Sequence, residues 1–145
     1  MIIKIGDMFE SSDILLFTAN NVVNRGRLIM GAGAAVDVAN AYPAVPVLLG
    51  TKISRYMTNG FYGIVTSQQH DRVVGAFQTK YHYKNPSTIE LVKRSIEQLV
   101  TLANNFPNKL IHLNFPGIGL GGLKEKDVLP LLGVLPDNVI IWRKK

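Results

Sequence analysis

Two stretches of this chain have the composition to hold an anion. Residues 30–35 read MGAGAA and residues 115–122 read FPGIGLGG. Glycines let backbone N–H groups approach a negative charge closely, and a helix beginning just after such a loop adds the positive end of its dipole. Neither stretch is diagnostic alone. MGAGAA lacks the lysine and hydroxyl residue of a P-loop, neither completes GxGxxG followed by an acidic residue at dinucleotide-site distance, and glycine clusters are also common as tight turns. Two such loops together suit a diphosphate. Other reactive types are sparse. There is no cysteine, and His70, His82 and His112 have no metal-ligand spacing, so no metal and no cofactor are expected. Asp37, four residues past Gly33, is a single carboxylate on a helix, which is usually surface. Lys80, His82 and Lys84 alternate with Tyr81 and Tyr83, a mixture that stacks and steers single-stranded nucleic acid; a weak nucleic-acid contact is the functional reading, an edge strand with solvated charges the plainer one.

The elements that must position these loops alternate between strand and helix patterns. Short apolar runs at 2–5, 13–17, 61–66, 73–77, 110–114 and 139–142 read as six strands. A helix starts at Ser87, capped by its hydroxyl with Glu90 completing a capping box, and buries Ile89, Val92, Ile96, Leu99 and Ala103. A second helix covers about Ala34–Ala41 and ends before Pro43; a third runs from about Lys124 into 131–135. Gly50, Asn59 and Gly60 mark turns. This alternation predicts an α/β fold, a three-layer α/β/α sandwich with the sheet between helices. Both glycine clusters then follow a strand and precede a helix, where such folds bind ligands.

The 145 residues, 47% hydrophobic and 18% charged, fit a single domain over 1–145 able to fold without disulfides. The N-terminus turns polar by Gly6 and Asp7, and no apolar run is long enough to span a membrane, so a cytoplasmic site and no membrane partner are expected. A net charge of +6 favours encounter with anions.

GDMFES before an apolar strand, then TAN, MGAGAA, FQTKYHYKNPSTIELVKRSIEQL and a strand ending in FPGIGLGGL together resemble, in order and over nearly the whole chain, the macrodomain family. MGAGAA, the TK motif before a Ser-capped helix, and GxGxGGL resemble in particular the branch with the macrodomain antitoxin of DarT/DarG systems, the human terminal ADP-ribose glycohydrolase and small phage relatives. The resemblance implies a mixed central sheet in that sandwich, and binding of ADP-ribose, or of an ADP-ribosylated macromolecule, with the diphosphate between the two glycine loops. By position it implies that Asp7 accepts from the adenine amino group and Met8 gives a backbone contact, that Asn20 faces the distal ribose, that Gly31, Ala32, Gly33 and Ala34 cradle one side of the diphosphate, and that Gly117, Ile118, Gly119, Leu120, Gly121 and Gly122 close over the other. Asp7 also reads as a turn residue, and Asn21 and Asn24 compete with Asn20 for register.

Lys80 matches the TK lysine, which acts at the anomeric carbon of the distal ribose; the same residue also reads as a solvated strand-end lysine. The glycohydrolase members pair that lysine with an Asp in the last loop, where this chain has Gly121, as in the antitoxin-like members. Three functions stay open: a non-catalytic ADP-ribose reader, a hydrolase of ADP-ribosyl linkages on protein or nucleic acid with Lys80 and Asn20 as catalytic residues, and an ADP-ribose 1″-phosphate phosphatase.

Overall fold

In the computed structural model, which describes residues 1–144, six strands form one sheet in the order β1-β8-β7-β2-β6-β5. These are β1 (Ile2–Ile5), β2 (Ile14–Ala19), β5 (Ile64–Gln68), β6 (Val73–Gln78), β7 (Ile111–Asn114) and β8 (Val139–Arg143). All neighbours run parallel except β5, which is antiparallel to β6. The sheet is therefore mixed, as the sequence predicts. β2 lies between β7 and β6, and its residues 14–17 are fully buried, which is why it reads as a continuous apolar run rather than an alternating one.

Successive side chains on a strand point to opposite faces, and the core divides accordingly. Leu15, Phe17, Val74 and Ala76 pack against α1 (Gly33–Ala41) and α2 (Val45–Tyr56). Ile14, Leu16, Phe77, Ile111 and Ile141 pack on the other face against α3 (Ile89–Asn105) and α4 (Glu125–Val128), which runs on into a 3-10 turn at Leu129–Val134.

Two elements depart from the sequence reading. The segment after Pro43, where the sequence reading marks only a turn at Gly50, is α2, with Pro46 in its first turn, where a missing N–H is harmless. Gly50 lies inside that helix rather than at a turn, and its missing side chain answers to packing: a short hairpin, β3 (Val23–Asn24) and β4 (Arg27–Leu28), crosses it so closely that a β-carbon there would stand 2.9 Å from Leu28 N. Arg25 and Gly26 close the hairpin at positive φ, as a two-residue type I′ turn requires. Asn59 and Gly60 do form a turn, both at positive φ. The cap of α3 is also one residue later than expected. Thr88 accepts from Leu91 N at 3.2 Å, Ile89 is left exposed, and Leu91 takes its place in the core. No described helix is long and apolar enough to cross a membrane.

Candidate functional site

β2 and β7 are parallel neighbours, yet the chain leaves β2 toward the α1–α2 layer and leaves β7 toward the α4 layer. Loops that part to opposite faces open a crevice beyond the strands' carboxyl ends, the usual ligand position in such sheets. Here a side chain props it open. The β2–β7 ladder pairs residues as far as Leu16 with Leu113, and beyond that Asn114 bridges to Thr18: Thr18 N donates to Asn114 Oδ1 at 3.0 Å, and Asn114 Nδ2 donates to Thr18 Oγ1 at 2.9 Å.

The resulting cleft has a volume of about 720 Å³, within the range of small-molecule sites. Its floor includes Thr18, Asn20, Asn114 and Phe115, and its two sides are the glycine loops, Gly31–Ala35 and Gly117–Gly121. The loops meet over it, since a β-carbon on Gly33 would lie 3.8 Å from Leu120 Cδ1. The sheet order sets the two ends: Lys80, Tyr83 and Ser87 stand beside β6, and Trp142 and Lys144 follow from β8. Three strand spacings separate β6 from β8, about 14 Å. The cleft thus suits an elongated ligand lying across the strand ends.

Its electrostatics favour an anion. Among the described residues Lys80 and Lys144 line the cleft and no Asp or Glu does. The first turn of α1 forms part of one side, and its N-cap Ala32 makes no side-chain hydrogen bond, so the leading N–H groups of the helix keep their donor capacity for a ligand. Gly117 and Gly119 of the facing loop hold positive φ.

Of the residues singled out from the sequence, Asn20, Gly31, Ala32, Gly33, Ala34, Lys80, Gly117, Ile118, Gly119, Leu120 and Gly121 all line this cleft. Three do not. Asp7 is exposed and accepts from Phe9 N at 2.9 Å, capping a 3-10 turn, while Met8 is buried in the α1–α2 core. Both follow β1, one strand beyond Trp142. Gly122 is exposed at φ 79°, where the chain turns out of the loop. Asp37 is exposed and outside the cleft, and among the described residues no three His, Asp or Glu group to hold a metal.

Asn20 is buried, and its amide already serves the backbone: Nδ2 donates to Ile29 O at 3.0 Å and Oδ1 accepts from Val22 N at 2.7 Å, pinning the hairpin that leads to the first glycine loop. One N–H of the amide remains for a ligand. Asn21 is turned away to Gly60 O. Lys80 is fixed from below by Gln78, whose fully buried amide donates to Gly60 O and Lys80 O and accepts from Tyr62 N and Gly63 N. Its ammonium reaches over the cleft and donates to Leu120 O at 3.4 Å, so the lysine touches the loop that closes the site.

Sequence reasoning missed Gln78, Trp142 and Ser87 as site residues. Gln78 sits two before Lys80 in a strand whose other residues are apolar, the one local signal that it has a job inside. Trp142 enters only through the pairing of β8 with β7, and its Nε1 donates to His112 Nδ1 at 3.0 Å. Burial holds His112 below the usual histidine pKa, and accepting from the indole fixes its remaining proton on Nε2. Ser87, expected to cap α3, instead lies in the cleft wall.

No protein-family model and no curated protein matches the chain. Solved structures do. The chain is similar to Thermosipho africanus DarTG in complex with ADP-ribose, at 25% identity and a TM-score of 0.81 over 99% of this chain and 42% of that one. It is similar over nearly the full length of both chains to the macrodomain of Mycobacterium tuberculosis DarG, at 24% identity and TM-score 0.79, and to that of Thermus aquaticus DarG with the same two values, covering 99% of this chain and 98% of that one.

Proposed function

Because this chain is a macrodomain, we propose that it binds ADP-ribose or an ADP-ribosyl group, with the diphosphate under the two glycine loops. The observation that carries this is the convergence of both loops on one carboxylate-free cleft beside the uncapped start of α1. The Thermosipho africanus relative holds ADP-ribose, which supports the ligand's identity. The adenosine end belongs at Trp142 and Lys144, where an indole face suits a base and Asp7 stands one strand further out, its carboxylate keeping acceptor capacity beyond Phe9 N. The distal ribose then falls at Lys80, Ser87 and Asn20.

Lys80 supports a second step at that end, hydrolysis of the ADP-ribosyl linkage. Its nitrogen is the nucleophile at hand there, and a free amine can attack the anomeric carbon of an opened sugar. Among the described residues no carboxylate lines the cleft to serve as its general acid or base, so binding is the primary reading.

Calorimetry tests binding. ADP-ribose should bind with a Kd of roughly micromolar or better, and AMP, lacking the second phosphate and the distal ribose, more weakly; equal or tighter AMP binding overturns the reading. For chemistry, the protein is incubated with ADP-ribosylated DNA, ADP-ribosylated protein and ADP-ribose 1″-phosphate while release of ADP-ribose is measured. Lys80→Ala should abolish release and leave ADP-ribose affinity within a few fold, because backbone amides hold the diphosphate. Borohydride with ADP-ribose should trap an adduct on Lys80 of the wild type. Release that persists in Lys80→Ala excludes the lysine mechanism, and release from none of the three substrates leaves a reader.

A further inference from the structure

Of the side-chain oxygens sealed from solvent among the described residues, one has no hydrogen-bond partner, Ser87 Oγ. Ser95 Oγ, by contrast, donates to Gln78 O at 2.7 Å. A buried polar atom left unpaired costs stability and calls for a reason. Ser87 has no structural one. The cap of α3 is Thr88, and Ser87 is tied to the last loop by its backbone, through Ser87 N donating to Gly121 O at 2.7 Å, not by its side chain. It lies in the cleft wall at the Lys80 end, directly against Gly121: a β-carbon on residue 121 would stand 2.5 Å from Ser87 Oγ.

We infer that Ser87 is a specificity-determining contact, its hydroxyl hydrogen-bonding a hydroxyl of the sugar beyond the diphosphate; this rests on the ADP-ribose reading above. In the conformation shown Oγ is sealed against Gly121, and it meets a ligand by turning to another staggered rotamer, a step that breaks no existing hydrogen bond. A serine hydroxyl both donates and accepts, which matches a sugar hydroxyl and would add nothing for a ligand that ends at the second phosphate. The serine also explains the glycine opposite. A β-carbon at 121 would run into Ser87 Oγ in its present rotamer and stand 3.2 Å from Ser87 Cβ.

The test compares ADP-ribose with ADP, which differ in the sugar, by calorimetry on wild type and Ser87→Ala, with melting temperatures alongside. Removing an unpartnered oxygen should leave the melting temperature unchanged or raise it. Affinity for ADP-ribose should fall roughly three- to tenfold, the worth of one neutral hydrogen bond, while affinity for ADP stays within error. An unchanged ADP-ribose affinity, or an equal loss for both ligands, overturns the inference, as does a lower melting temperature with Ser87→Cys failing to restore it, which would make the residue structural. Wild-type protein that binds neither ligand overturns the binding reading itself and is distinguishable from these outcomes.

Discussion

The two glycine loops face each other across one cleft, yet their glycines are there for different reasons. Around Gly31 nothing stands within 4 Å of where a β-carbon would be, and the residue is exposed without a positive φ. The space beside it is open cleft. In the facing loop, Gly121 is buried against Ser87, and a β-carbon on Gly117, itself at φ 80°, would come within 2.6 Å of Leu123 Cδ1. These glycines are demanded by the protein's own packing and backbone. The first loop is a bare cradle of amides on a helix start, whereas the second is a packed lid tied to Lys80 and Ser87.

The largest effect expected from this difference is at Gly121. Gly121→Asp should lose both properties at once, since the new side chain must displace Ser87 or the loop: about 1–3 kcal/mol of stability and more than tenfold in ADP-ribose affinity, read from thermal melts and calorimetry. A variant that melts like the wild type would show that the second loop is as open as the first. Gly31→Glu is its counterpart. The carboxylate enters open space beside the diphosphate, so the melting temperature should hold while affinity falls about tenfold, or 1.4 kcal/mol. Loss of stability there would erase the contrast.

A smaller effect is expected under the cleft at the Trp142 end. His112 has its pKa lowered mainly by burial, so the folded state binds its proton less readily than the unfolded chain. That contribution to stability is fully present above the unfolded pKa of about 6.5 and declines as pH falls below it. Protonation also puts an N–H where Trp142 Nε1 now donates. Melting temperature should therefore fall between about pH 6.5 and 5 with a change in tryptophan fluorescence, and His112→Gln should flatten both trends. Equal slopes in the two proteins would show that His112 does not govern this end of the site.

The amino-acid sequence by itself determined the strands, the α/β layering and the glycine loops that line the cleft, because these depend on local properties: apolar runs, 3.6-residue periodicity, and glycine before a helix. It misplaced features set by close approach. Gly50 has the chemistry of a turn, yet it is a helical residue whose missing side chain makes room for the hairpin that crosses α2. Ser87 has the chemistry of a cap, and it became a cleft residue because Thr88, one place later, took the Leu91 N–H. Trp142 and Thr18 joined the site through strand order alone, since β8 and β2 are separated in sequence and brought beside β7 only by the sheet. Residue type and spacing thus set what each segment is able to do. Which of those capacities face one another across the cleft was decided by tertiary packing, because backbone pairing and steric exclusion act between residues far apart in the chain.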